Sequence, residues 1–182
     1  MSHLLLFVAA AIGLTIVSWP ALKNPGCHGF YRYFTFIGIA ALFSLNEPYW
    51  TIEPTSAHQL VSWLLLFGSM VFVLSSFYLL RSNGGERRQS PGAENFAFEN
   101  TSELVSSGIF GFIRHPMYAS LLFLCWGTMF KHVTLLNLII AFASSLFILK
   151  AARVEEDENI AYFGDKYRDY MLKTKRFIPF IL

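Results

Sequence analysis

Charge is scarce in this chain. Asp, Glu, Lys and Arg make up only 14% of its 182 residues against 54% hydrophobic, so most of it must be dissolved in something other than water. Cysteine is nearly absent as well. Cys27 and Cys125 are the two, one expected in a loop and one at mid-membrane, so neither a disulfide nor a metal cluster is expected and both read as packing residues. The net charge of +2 is too small and too dispersed to suggest nucleic acid as a partner.

What the chain does have is apolar length. Residues 4–22, 60–80 and 133–152 are near or above the length that crosses ~30 Å of hydrocarbon at ~1.5 Å per residue. Two further stretches, 33–45 and 116–130, are shorter and would be marginal outside a bundle. The expectation is an all-α integral membrane protein with about five transmembrane helices. No Lys or Arg precedes residues 4–19 and no convincing small-x-small site follows, so this run reads as a span rather than a signal peptide.

Five spans predict that basic residues gather in alternate loops. Lys23 and Arg32 fall between spans one and two, Arg81, Arg87, Arg88 and Arg114 between three and four, and seven more from Lys150 to Arg176 follow the fifth, whereas Lys131 alone lies on the other side. The N-terminus is therefore expected outside and the C-terminus in the cytoplasm of either a bacterial inner membrane or an endoplasmic reticulum. Residues 1–81 form three helices that anchor the chain and shape a lipid-facing groove. Residues 82–103, with Asn83-Gly84-Gly85 and Pro91-Gly92, read as a cytoplasmic connection. Alternating Phe96 and Phe98 suggest that part of it folds back as a lid, while a disordered linker over 82–94 is the competing reading. Residues 104–182 form a helical hairpin followed by an amphipathic interfacial helix, with Ile160, Phe163, Tyr167, Tyr170 and Met171 at helical spacing.

The chemistry concentrates at the two ends of that hairpin. Pro116 suits a first helical turn, which puts Arg114 and His115 at the positive end of a helix. A tight turn near Lys131 to Thr134 then brings the chain back, so that Glu155-Glu156 should face Arg114-His115-Pro116-Met117-Tyr118 at one membrane surface. A guanidinium, an imidazole, a phenol and two carboxylates suit a zwitterion such as an amino-acid moiety: Arg114 for its carboxylate, Glu155 or Glu156 for its ammonium. The competing reading is that Arg114 obeys the topology bias and the two acids solvate a helix end.

The run Phe110-Gly111-Phe112-Ile113-Arg114-His115-Pro116-Met117-Tyr118, then Glu155-Glu156, then Phe163-Gly164-Asp165-Lys166-Tyr167-Arg168-Asp169-Tyr170 resembles the C-terminal half of the isoprenylcysteine carboxyl methyltransferase and phospholipid methyltransferase group. The resemblance implies a membrane enzyme that uses S-adenosylmethionine at the cytoplasmic face, with a lipophilic methyl acceptor entering from the bilayer and no metal. It further implies that Leu104, Val105, Gly108, His115 and Tyr118 contact the cofactor, that Glu156 meets its polar end, and that Arg114 and Glu155 serve the reacting centre. The family pattern has Gly-x-Tyr where this chain has Gly108-Ile109-Phe110, and Gly where it has Ser120. Isoprenylated carboxylate, phospholipid amine and thiol acceptors all stay open. The rival readings are an NADPH-dependent sterol-type reductase, whose motif includes a Trp that is missing near Phe163-Gly164, and a non-enzymatic transporter or scaffold.

Overall fold

The computed structural model describes residues 2–85, 96, 99 and 101–177. Six α-helices lie among them: α1 (Ser2–Leu22), α2 (His28–Asn46), α3 (Ala57–Asn83), α4 (Pro116–Met129), α5 (Leu135–Phe163) and α6 (Asp165–Lys173). Short 3-10 turns occupy Glu47–Tyr49 and Gly108–Gly111. No strand is found among the described residues; a single bridge joins Ile113 to Lys175.

Helices α1, α3 and α5 are long and apolar enough to cross a membrane. The expectation of five such spans narrows to three on that criterion, for two physical reasons. Helix α4 is 14 residues, about 21 Å at the standard rise, short of a ~30 Å core. Helix α2 starts five residues ahead of its apolar run and takes in His28 and Arg32. Both are held by packing instead: α4 lies mainly against α3, and α2 mainly against α5. The outer faces of α1, α3 and α5 carry exposed Leu5, Ile12, Ile16, Leu64, Phe67, Leu74, Phe142 and Leu146, an apolar belt of the kind lipid tails cover.

Apolar attraction between helices is weak where the surroundings are equally apolar, so small residues and hydrogen bonds fix the bundle. Gly38 lets α2 approach α5 so closely that a Cβ there would collide with the Ser144 hydroxyl. Ser62 Oγ donates to the Gly127 carbonyl at 2.7 Å and Ser69 Oγ to the Ser120 carbonyl at 2.8 Å, joining α3 to α4. Asn137 Nδ2 donates to Asn46 Oδ1 at 2.7 Å, and Asn46 Nδ2 to the Thr128 carbonyl at 2.8 Å, joining α2, α4 and α5. Lys131, the one basic residue on its side of the sequence pattern, is buried: its Nζ stands 3.2 Å from the Trp63 ring centroid and donates to Gln59 Oε1 at 3.0 Å. An aromatic face and an amide oxygen replace the water this ammonium gives up. Cys27 and Cys125 are free and buried.

Helix α3 continues two residues past the expected boundary at 81. Most of the connection, including Phe98, and the tail 178–182 lie outside the described residues.

Candidate active site

The turn between α4 and α5 brings the N-terminus of α4 and the C-terminal part of α5 to the same end of the bundle, beside the C-terminus of α3. Pro116 takes the first position of α4 and His115 caps it. The chain that leads in is fixed by the returning C-terminal segment. Arg114 N donates to the Lys175 carbonyl at 2.7 Å, His115 N to the Arg176 carbonyl at 3.1 Å, and Lys175 N to the Phe112 carbonyl at 3.1 Å. Tyr170 of α6 donates its hydroxyl to the Phe110 carbonyl at 2.6 Å. Helix α6 thus braces the motif, with Tyr167 and Tyr170 buried and Leu172 turned outward.

Glu156 is the centre of the charge arrangement. It is 3% exposed and accepts from Arg114 Nε at 2.8 Å, from Arg176 Nε at 3.1 Å and NH2 at 2.5 Å, with His115 Nε2 at 3.3 Å. Arg114 NH1 is spent on the carbonyls of Thr174 and Met171. The acid that meets Arg114 is therefore Glu156, whereas the resemblance set Arg114 with Glu155; the position one step round the helix decides it, since α5 turns Glu156 inward and Glu155 toward the opening. Within 4 Å, Glu155 has only His115 Nδ1, at 3.8 Å, as an ionic neighbour among the described residues, with the charges of His28 and Arg32 farther off.

An open cleft lies over this cluster. Of the residues expected at a site, Leu104, Val105, Arg114, His115, Tyr118 and Glu155 line it, whereas Gly108 and Glu156 do not. Gly108 acts one layer out: its φ is +59 and a Cβ would stand 2.8 Å from Leu79 Cδ1, so the 3-10 turn can seat against α3 only with glycine there. Leu80 of α3, Glu99 and Thr101 of the connection, Phe110, Pro116 and Met117 of the motif, and Asn159, Phe163, Tyr167 and Tyr170 complete the wall. The Tyr118 hydroxyl is buried and makes no close hydrogen bond among the described residues, although the Glu155 carboxylate is near enough to act on it; such a group is costly to bury unless a partner is supplied. Burial, reinforced by Glu155, also pushes the Tyr167 phenol far above its ordinary range.

His28, Arg32, Glu99, Glu158 and Arg176 belong to this charged end and were not singled out by the sequence. Arg32 had been read as a topology marker, yet it is 4% exposed. The four-residue spacing of His28 and Arg32, like the three-residue spacing of Glu155 and Glu158, was a visible sign of shared helix faces. Their pairing with residue 99 was not.

The family profile described as phospholipid methyltransferase matches residues 57–166, from α3 into α6. The chain belongs to the phospholipid methyltransferase family. Among curated proteins it is similar to a methanethiol S-methyltransferase of Pseudomonas deceptionensis, 23% identical over 88% of this chain and 62% of that protein. A methanethiol S-methyltransferase of Crocosphaera subtropica is 25% identical over 99% of the chain and 61% of the relative. The protein-S-isoprenylcysteine O-methyltransferase of Mus musculus is 29% identical over 79% and 51%. The chain thus spans about half to three fifths of these relatives' lengths. No solved structure matches it significantly. The family match covers the cleft's α3, α4 and α5 walls, and leaves Arg32 and His28 of α2 outside.

Proposed function

We propose that this chain is an S-adenosylmethionine-dependent methyltransferase that works at the cytoplasmic membrane face on a lipophilic acceptor carrying a thiol or an amine. The carrying observation is that the Tyr118 hydroxyl, buried with no close hydrogen bond among the described residues, and the Glu155 carboxylate, with one ion-pair neighbour within 4 Å there, face the same cleft. Family membership and the names of the relatives support the reaction class. The crowding of Lys and Arg at the cleft end supports the cytoplasmic assignment.

The donor set fits S-adenosylmethionine. Glu155 and Glu99 suit its cationic groups, the remaining terminal nitrogen of Arg114 suits its carboxylate, and Leu104, Val105, Phe110 and Phe163 offer apolar surface for the adenosyl part. The sulfonium supplies a methyl group already attached to a good leaving group. The protein's work is then to align the acceptor and exclude water. His115 and Arg114 are held rigid by Glu156 and by the Lys175 and Arg176 carbonyls, so the cleft wall is preorganised. Glu155 takes the proton from the thiol or amine as the new bond to carbon forms. An isoprenylated carboxylate acceptor is disfavoured because Glu155 and Glu99 stand at the cleft wall and the one remaining nitrogen of Arg114 is taken by the donor's own carboxylate.

A labelled-methyl assay on total lipid extract and on a panel of thiols tests the reading. Glu155→Gln should lower kcat by about 10²–10⁴. Labelled carboxylate esters as the main product would overturn the acceptor assignment, and calorimetric binding of NADPH without S-adenosylhomocysteine would overturn the reaction.

A further inference from the structure

A second set of charges stands behind the cleft wall. His28 and Arg32 are one turn apart on α2 and are 2% and 4% exposed. Arg32 pairs with Glu99, and its guanidinium lies 4.2 Å from the Phe96 ring centroid and 5.9 Å from that of Phe36. His28 Nδ1 meets Glu158 Oε2 at 2.5 Å, its backbone N donates to Glu158 Oε1 at 3.0 Å, and its Nε2 lies 3.6 Å from Glu99 Oε2. Phe96 N donates to Glu99 Oε2 at 3.0 Å. Two cations and two carboxylates thus tie α2, the connection and α5 together.

Of these four residues, Glu99 is the one that lines the cleft. There it joins Glu155 and the Tyr118 hydroxyl. Well-packed apolar side chains would join α2 to the connection as firmly as buried ions, or more so. What they would not supply is a negative charge fixed at the cleft wall. We propose that Glu99 contacts a cationic group of the methyl donor and that Arg32 and His28 are positioning residues that aim it.

This inference rests on the donor-binding reading above. Its test uses the full chain in detergent, with S-adenosylmethionine affinity by calorimetry and thermal unfolding measured side by side. Arg32→Met should weaken binding by about tenfold or more, the loss of one charge-assisted contact, and Arg32→Lys should recover most of it. The double variant Arg32→Met/Glu99→Met removes both charges, so it should regain most of the stability that Arg32→Met loses yet still bind about tenfold more weakly than the wild type. A structural role alone predicts that stability and affinity return together. A double variant that binds like the wild type, or that loses binding only in step with loss of fold, overturns the proposal. A wild-type chain that does not bind S-adenosylmethionine overturns the donor reading itself, and this inference with it.

Discussion

Glu155 and Glu156 are the same amino acid at adjacent positions, and the structure predicts opposite consequences for their loss. Glu156 is 3% exposed and holds Arg114, His115 and Arg176 at 2.5–3.3 Å. Glu156→Ala strands the Arg114 guanidinium, whose side chain is 9% exposed. Breaking a buried pair from one side costs about 3–5 kcal/mol. For a chain of this size each kcal/mol corresponds to about 2–4 °C, so the expected fall in Tm is about 6–20 °C. Glu155 is 30% exposed and has a single ionic neighbour within 4 Å among the described residues, so Glu155→Ala should change stability by no more than about 1 kcal/mol. Activity should separate the other way: Glu155→Ala abolishes turnover in a folded protein. Thermal unfolding of the two variants in one detergent, with tryptophan fluorescence as the probe, checks the contrast. Equal shifts, or the larger one at Glu155, would refute the assignment of Glu156 to the framework and Glu155 to the cleft.

Tyr118→Phe removes a buried hydroxyl that makes no close hydrogen bond among the described residues, so thermal unfolding should show little change in stability while calorimetry shows weakened donor affinity. The His28 pair predicts a pH limb: burial alone would lower the His28 pKa, but Glu158 and Glu99 outweigh it and raise it from 6.5 to about 10. Its stabilisation is therefore complete below about pH 6.5 and lost as pH rises through about 10, so unfolding temperature should decline across that window and His28→Gln should flatten the decline. Glu99 behaves oppositely: burial would raise its pKa, but Arg32 and His28 hold it at about 2, so its contribution is present above about pH 4.5 and fades as pH falls toward 2. Thr134 caps α5 by accepting from Asn137 N at 3.2 Å, and Thr134→Ala should cost about 1 kcal/mol in a denaturation experiment.

Long apolar runs need no tertiary information to be read as membrane helices, because lipid imposes one length and one polarity on any span. That is why α1, α3 and α5 were visible from the chain alone. The hairpin was visible for a related reason: a helix start at Pro116, a tight turn after Met129 and an acidic pair near the end of the next helix leave little freedom in where the ends meet. Composition could not decide the status of α2 and α4, whose short or partly charged runs stay in the bundle through Gly38, Ser62, Ser69 and the Asn46–Asn137 pair. Nor could it tell Glu155 from Glu156, since adjacent helical residues differ by about 100° in direction and only the packing partner says which points inward. The burial of Arg32, His28 and Lys131 was the furthest out of reach. A lone charge in a sequence reads as exposed, and the carboxylates or aromatic rings that allow it inside come from segments 67 to 130 residues away, brought near only when the whole bundle closes.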